Sequence, residues 1–281
     1  MKQPLSVDSI IEYALAEDIG NGDHTSQSII SPTNQGKAKL LVKQAGVLSG
    51  MSLAKLIFHK VDPSIIMDEL LKDGDNIKPG DIAFHVSGPS VSILKAERLV
   101  LNFMQRLSGI ATNTSLYVNE IKDLHTKILD TRKTTPLLRE FEKQAVVHGG
   151  GFNHRFGLFD MILIKDNHID YAGGIDKAIH SVVKYLNDNN LVLKIEIEVR
   201  NFDELDQVLK IGQVHRIMLD NFTTADLKKA VEIINGRYET EASGGINLQT
   251  IRSYAETGVD FISVGALTHQ IRSLDLSLKA F

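Results

Sequence analysis

Ile128-Leu129-Asp130, Thr131-Arg132-Lys133-Thr134-Thr135-Pro136, a helix-length segment at residues 137–147, His148-Gly149-Gly150-Gly151-Phe152-Asn153-His154-Arg155, and Met161-Ile162-Leu163-Ile164-Lys165 make up the stretch that decides the fold. A short apolar strand runs into a polar loop, a helix follows, and a second apolar strand again closes on charge. That order predicts parallel strands joined by a right-handed crossover. The alternation continues, with candidate strands at Leu193–Val199, Arg216–Leu219, Tyr238–Ala242 and Phe261–Val264 and helices at residues 174–188, 202–210, 224–235 and 247–257. A β/α barrel and a doubly wound sheet both satisfy this pattern, and six strands are too few for an eight-unit barrel.

In either architecture ligands bind at the carboxyl ends of the strands. Here those ends carry Thr131-Arg132-Lys133, Lys165-Asp166-Asn167-His168, Glu196 with Glu198, Asp220-Asn221, Ser243-Gly244-Gly245, and Gly265-Ala266-Leu267-Thr268-His269. One charged strand end is ordinarily solvated, but six in succession argue for convergence on a single site. Residues 132–155 hold 5 Lys/Arg against 2 Asp/Glu while the rest of the chain holds 26 against 33, so this local excess of cations predicts an anionic ligand. Arginine forks at Arg132 and Arg155 match carboxylate or phosphate bidentately, whereas Lys133 and Lys165 act as point charges. Glu196 and Glu198, two apart on a strand, share a face, and with Asp220 they offer hard oxygen ligands for Mg²⁺. The plainer role for Glu196 is a salt bridge to a neighbouring lysine. Ser243-Gly244-Gly245 before a helix, and Gly265 after the next strand, offer bare backbone N–H groups to an anion.

The first hundred residues have another profile. An amphipathic helix is expected at residues 6–17, a turn-rich loop at Asp18–Ser26, alternating strands at Lys37–Lys43 and Asp81–Val86, and a helix at residues 51–60 between them. Asp73-Gly74-Asp75-Asn76-Ile77-Lys78-Pro79-Gly80-Asp81 is similar to the turns of biotinyl carrier domains, but no lysine sits at a hairpin tip, so the similarity is one of turn geometry. Residues 91–123 read as one long helix or two abutting ones, apolar enough to lie between layers. Arg98, Asn102 and Gln105 share a polar stripe on it, which is either solvated or carries Arg98 to a site.

Composition narrows the function by exclusion. A net charge of −4 argues against general nucleic-acid binding, and 0 cysteines remove disulfides, thiolate nucleophiles and cysteine-ligated metals. No apolar run approaches the length of a membrane span and the N-terminus lacks the order of a signal peptide, so a cytoplasmic protein is expected. His148-Gly149-Gly150-Gly151 imitates an esterase oxyanion loop, but no G-x-S-x-G elbow accompanies it. No dinucleotide fingerprint, P-loop or H-E-x-x-H motif occurs.

These residues, taken together, resemble the quinolinate phosphoribosyltransferase family. The match runs in order through Glu17-Asp18-Ile19-Gly20, Gly22-Asp23-His24-Thr25-Ser26, Glu97-Arg98 with Leu101-Asn102, Leu107-Ser108-Gly109-Ile110-Ala111-Thr112, Asp130-Thr131-Arg132-Lys133-Thr134, Asn153-His154-Arg155, Ile164-Lys165-Asp166-Asn167-His168, Glu196-Ile197-Glu198-Val199, Leu219-Asp220-Asn221 and Ala242-Ser243-Gly244-Gly245-Ile246. The resemblance implies an α/β fold of an N-terminal open sandwich, residues 1–112, and a six-stranded parallel β/α barrel, residues 113–281, with the last residues packing back on the first domain. It implies transfer of phosphoribose from 5-phosphoribosyl 1-diphosphate to quinolinate with decarboxylation, using Mg²⁺, in NAD biosynthesis. It also implies a homodimer or higher homo-oligomer in which Arg98 completes the partner's site.

By the same carry-over Arg132, His154, Arg155 and Lys165 hold the quinolinate carboxylates beside Thr131, and Lys133 lies near both substrates. Glu198 and Asp220 take the ribose hydroxyls and the metal, and Ser243, Gly244, Gly245, Gly265 and His269 surround the 5-phosphate. Lys133, Lys165, Glu198 and Asp220 form the implied catalytic set. Gln270 stands where the family often has serine. Rivals of the same fold act on nicotinate or belong to the molybdate-transport homologue, and a binding protein without activity is a third reading. The number of cations favours a dicarboxylate, and retention of Glu198 with Asp220 favours an enzyme.

Overall fold

The computed structural model describes residues 5–281. The order of elements is α1 (Val7–Ile19), α2 (His24–Ile29), β1 (Gln35–Val42), β2 (Gly46–Val47), α3 (Met51–Val61), β3 (Ile66–Glu69), β4 (Asn76–Ile77), β5 (Ile82–Pro89) and α4 (Ser90–Glu120). It continues through β6 (Lys127–Leu129), α5 (Arg139–His148), β7 (Ile162–Ile164), α6 (Asp166–Ala172), α7 (Ile175–Asp188), β8 (Ile195–Val199), α8 (Phe202–Ile211) and β9 (Arg216–Asp220). The last elements are α9 (Thr224–Ile234), β10 (Glu239–Ser243), α10 (Ile251–Ala255), β11 (Phe261–Ser263), α11 (Ala266–His269) and β12 (Leu276–Ala280). These elements fall into two compact units, one of residues 1–115, 134–150 and 267–281, the other of residues 116–133 and 151–266.

The first unit is built on a four-stranded antiparallel sheet in the order β12-β1-β5-β3. Alternation along β1 buries Ala38, Leu40 and Val42 on one face. Helix α3 lays Leu53, Ala54, Ile57 and Phe58 inward, and Phe58 meets Phe84 of β5 edge-to-face at 5.9 Å. Gly50, at φ 105°, begins α3 so close to α4 that a Cβ there would stand 3.3 Å from side-chain atoms of Met104 and Leu107. The aspartates of the 73–81 stretch do turn work: Asp73 accepts from the Met51 amide, Asp75 from that of Lys72 and Asp81 from that of Lys78, each at 2.9 Å.

Helix α4 is continuous where the sequence allowed two helices, because no proline or glycine pair interrupts it and Val100, Met104, Leu107, Ile110 and Ala111 are buried along its length. Of its polar stripe, Gln105 donates to the Leu276 carbonyl at 2.8 Å, whereas Arg98 is exposed. Gly149 of the His148 stretch is a packing device. A Cβ at Gly149 would collide with the Ala111 carbonyl and Thr114 of α4, and His148 shares a 2.8 Å hydrogen bond with Ser49.

The second unit carries six parallel strands in the order β6-β11-β10-β9-β8-β7. Beside β6, Phe152 adds a parallel bridge to Leu129, donating to the Ile128 carbonyl at 2.8 Å. Helices α7, α8 and α9 bury one stripe each, including Ile179, Val208 and Leu227, and α8 and α9 are capped by Asn201 and Thr223. Every residue of β8 is buried: Ile195, Ile197 and Val199 alternate with Glu196 and Glu198.

Several local expectations need correction. Asp18–Ser26 is not all loop: Asp23 accepts from the Ser26 amide at 3.0 Å and starts α2. Asp166, Asn167 and His168 are not a strand-end loop but the first turn of α6, where the Lys165 amide donates to His168 Nδ1 at 2.9 Å. The helix expected at residues 247–257 is only α10, Ile251–Ala255, because Asn247 and Thr250 hold a turn before it. Strand β3 went unread, since Ile66-Met67-Asp68-Glu69 is an exposed edge with no buried face to impose a period.

Candidate active site

Period two sorts the strands of the second unit into an outer face and a lumen. Leu163, Glu196, Glu198, Arg216, Met218, Asp220, Glu239, Glu241, Ser243 and Ser263 share the lumen parity. Register stacks them in layers: Arg216 lies beside Glu196 and Glu239, Met218 beside Glu198 and Glu241, and Asp220 beside Ser243. His154, on the β6 side, lies 3.0 Å from Glu196 of β8 and 3.5 Å from Glu241 of β10. Groups from separate parts of the sheet can meet so closely only if it curls, so the expected barrel is the fold and the doubly wound alternative falls.

Above that layer is a cavity of about 220 Å³ lined by Thr131, Arg132, Lys133, His154, Arg155, Leu163, Lys165, Met218, Glu241, Ser243 and Ser263. Seven of the residues expected at the site, Thr131, Arg132, Lys133, His154, Arg155, Lys165 and Ser243, therefore converge. Lys165 is exposed at the rim and donates to Glu198 Oε2 at 2.9 Å. Arg155 is half-buried, and burial together with the neighbouring Arg132 charge lowers its pKa. A half-buried guanidinium held beside a second positive charge makes a ready anion site.

Under the cations lies a buried ionic group. Glu196 and Glu241 have fully buried side chains, and that of His154 is 6 % exposed. Burial, reinforced by the charge of Glu241, pushes the Glu196 carboxyl up to about 7. For Glu241, burial is outweighed by His154 and Arg216, and its pKa is lowered. His154 is pulled by its two carboxylates, against burial, to about 9, yet its Nδ1 accepts the Arg155 amide hydrogen at 2.7 Å. That amide contact needs a bare Nδ1, so it decides for a neutral ring carrying its proton on Nε2, facing the carboxylates. Glu196 thus pairs with His154, not with a lysine; the lysine pair belongs to Glu198.

At the next strand end, Asp220 Oδ2 accepts from the Asn221 side chain at 2.6 Å. One oxygen each of Glu198 and Asp220 is thereby left without a protein partner among the described residues, a hard donor set of the kind Mg²⁺ takes. Gly244 sits at φ 104°, where any Cβ would collide with Asn221, and Gly245, at φ 60°, faces open space. The Ser243-Gly244-Gly245 loop does not open directly onto a helix, as its spacing suggested: α10 starts only at Ile251. Whatever anion it takes must be met by the loop's own amides. Gly265 follows β11 in the same unit, while Arg98, His269 and Gln270 are carried by the first unit.

Two lumen residues escaped the sequence reading, Glu241 and Arg216. The signal was present: Glu239, Glu241 and Ser243 alternate, so a strand ending on a site serine puts Glu241 on the same face. A larger cleft, about 360 Å³, lies along β7, α6 and α7 and shares Arg155 and Leu163, but its walls are mainly apolar, including Leu158, Met161, Ala178 and Val182. Its polar lining is Arg155, His168 and Ser181, against eleven residues of mostly polar lining in the smaller cavity where the expected site residues meet.

The architecture has known counterparts. The family model described as quinolinate phosphoribosyl transferase, N-terminal domain, matches residues 23–108, and that of the C-terminal domain matches residues 110–279. The chain belongs to the quinolinate phosphoribosyl transferase family. It is 46% identical to quinolinate phosphoribosyltransferase [decarboxylating] 1b of Nicotiana tabacum, over 96% of this chain and 81% of the relative. It is 39% identical to the probable nicotinate-nucleotide pyrophosphorylase [carboxylating] of Bacillus subtilis, over 98% of this chain and 93% of the relative. Among solved structures, NadC from Streptococcus pyogenes superposes with a TM-score of 0.93 at 39% identity, covering 99% of this chain and 98% of the other. Some plant members of the family are named as mitochondrial or chloroplastic. Among the described residues no helix is long and apolar enough to cross a membrane.

Proposed function

We infer that this chain transfers phosphoribose from 5-phosphoribosyl 1-diphosphate to quinolinate, with decarboxylation, giving nicotinate mononucleotide, diphosphate and CO₂ in NAD biosynthesis. The observation that carries the reading is the cavity in which Arg132, Arg155 and Lys165 face one another above a barrel lumen of opposite charge. Three cations suit a ligand with two adjacent carboxylates better than one with a single carboxylate. Arg132 and Arg155 fork the acid groups, Thr131 borders them, and Lys165 lies between the acceptor and Glu198. Lys133 reaches the incoming diphosphate. Ser243, Gly244, Gly245, Gly265 and His269 take the 5-phosphate through backbone amides and side-chain donors.

Departure of diphosphate leaves the ribose carbon cation-like, so fixed charges that hold leaving group and acceptor in line supply the catalysis, and no protein nucleophile is needed. Glu198 and Asp220 would hold Mg²⁺, whose chemistry when bound would be neutralisation of phosphate charge. We further propose a homodimer in which the exposed Arg98 enters the partner's site, and a cytoplasmic location; the absence of cysteine is consistent with a reducing compartment.

One assay tests the reaction: protein, Mg²⁺ and 5-phosphoribosyl 1-diphosphate with quinolinate or nicotinate, following CO₂ and product mass. CO₂ and nicotinate mononucleotide from quinolinate alone are expected. Turnover of nicotinate with none of quinolinate would replace this reading with the monocarboxylate one. Chelation with EDTA is expected to abolish turnover and added Mg²⁺ to restore it; full activity in EDTA would remove the metal from the scheme. Lys165→Ala is expected to lower kcat by about 10²-fold or more, because the charge at the reacting centre is lost and Glu198 is left without its partner. Undiminished turnover would make Lys165 a structural residue.

A further inference from the structure

The ionic layer beneath the acceptor cations has no part in the scheme above, yet it costs the fold. Small β/α barrels are commonly filled by branched apolar side chains, and buried charges contribute less to stability than packed apolar groups of the same size. Here Glu196, Glu241, Arg216 and His154 occupy that volume. Their contacts form a chain. Arg216 is held from below by Glu239 at 3.0 Å and lies 4.0 Å over the Phe261 ring. It donates to Glu241 Oε2 at 3.0 Å, and the same oxygen is 3.5 Å from His154 Nε2, with Glu196 Oε2 at 3.0 Å on the other side. The far side of the imidazole takes the Arg155 amide at 2.7 Å, and the His154 amide donates to Asp130 Oδ1 at 2.8 Å. The ring is therefore tied at Nδ1 to the backbone of an acceptor-binding arginine and flanked at Nε2 by two carboxylates at 3.0 and 3.5 Å.

We propose that Glu196, Glu241 and Arg216 are positioning residues for the acceptor subsite: they fix the His154 ring, and through it the backbone from which the Arg155 fork reaches the substrate carboxylate. This rests on the reading of quinolinate as acceptor. His154 then serves the subsite mainly as a strut, because the carboxylates engage Nε2 and the Arg155 amide engages Nδ1. The same carboxylates with His154 bring three potential ligand atoms within 4.8 Å of one another, a spacing that would suit a metal ion. Arg216 already supplies the counter-charge, however, and a divalent ion in contact with Glu241 would face that guanidinium directly.

The consequence is a selective kinetic defect. Glu241→Gln and Glu196→Gln are each expected to raise KM for quinolinate roughly tenfold while KM for 5-phosphoribosyl 1-diphosphate stays within about twofold. Arg216→Lys, which keeps the charge but loses the fork, is expected to give a smaller rise in the same direction. Calorimetric titration of quinolinate into each variant, with the thermal midpoint recorded, reads the effect without turnover and from whatever fraction is folded. Weaker quinolinate binding at full stoichiometry supports positioning. Loss of active fraction with unchanged affinity, or an equal rise in both KM values, overturns it in favour of a role in folding alone. A metal ion retained by the parent protein through dialysis against EDTA, and lost in Glu196→Gln, overturns it in favour of a structural metal. The parent protein is assayed first: failure of quinolinate turnover there defeats the functional reading itself, whereas an unselective defect in the variants defeats only the positioning.

Discussion

Arg155→Ala is expected to lower kcat/KM for quinolinate by about 2–5 kcal/mol, or roughly 30- to 5,000-fold, with most of the loss in acceptor binding. The guanidinium is half-buried, its NH1 is 3.4 Å from the Met161 carbonyl, and the Arg132 charge presses against it. Without ligand that arrangement is unfavourable, so an acceptor carboxylate gains both a bidentate partner and relief of repulsion. Truncation leaves the carboxylate desolvated in the cavity, with Arg132, Lys133 and Lys165 as the remaining cations of its lining. Arg132→Ala is expected to behave alike but less severely, because Arg132 is exposed and water can take its place. Steady-state kinetics with quinolinate varied at saturating co-substrate measure the difference. Unchanged kcat/KM in Arg155→Ala would remove this residue from the acceptor subsite, and with it the main support for a dicarboxylate.

The second large effect concerns stability. Arg106 of α4 donates through Nε to Glu142 Oε1 at 2.8 Å and through NH2 to Thr135 Oγ1 at 2.7 Å, while the Thr135 amide donates to Glu142 Oε2 at 3.2 Å. Glu142 is fully buried, whereas the Arg106 side chain is 30% exposed. Removing the arginine strands a buried carboxylate, a change that costs about 3–5 kcal/mol for a fully buried pair; discounting for the exposed side gives about 2–4 kcal/mol. For a chain of this size that corresponds to a fall of about 3–7 °C in the thermal midpoint of Arg106→Ala. Arg106→Ala with Glu142→Gln is expected to recover part of the loss, since the stranded charge is gone. A midpoint unchanged within a degree in the single variant would show that Glu142 finds other partners.

Much of the second unit was legible because its physics is local. Most strands are marked by a short apolar run and most helices by an apolar stripe, and the strand-end rule makes Thr131, Arg132, Lys133, Lys165 and Ser243 neighbours from residue order alone. The parity of a strand was also sufficient to put Glu196 and Glu198 on one face. Their partners were not legible. Glu198 meets Lys165 because β7 and β8 become neighbours in the sheet, and Glu196 meets His154, 42 residues away, because the curl of the sheet, which no single strand encodes, decides which layers of the lumen meet. Edge strand β3 and the short α6 lacked a buried face or a long period, and so gave no pattern to read.

Residue order alone therefore determined the family, the α/β class and the cationic character of the site, since these follow from motif identity, periodicity and charge. Tertiary structure decided how the lumen is wired. It put the Arg155 amide on His154, buried carboxylates behind that ring, and Arg216 beneath them, contacts of about 3 Å made across a curled sheet whose geometry only the whole barrel sets.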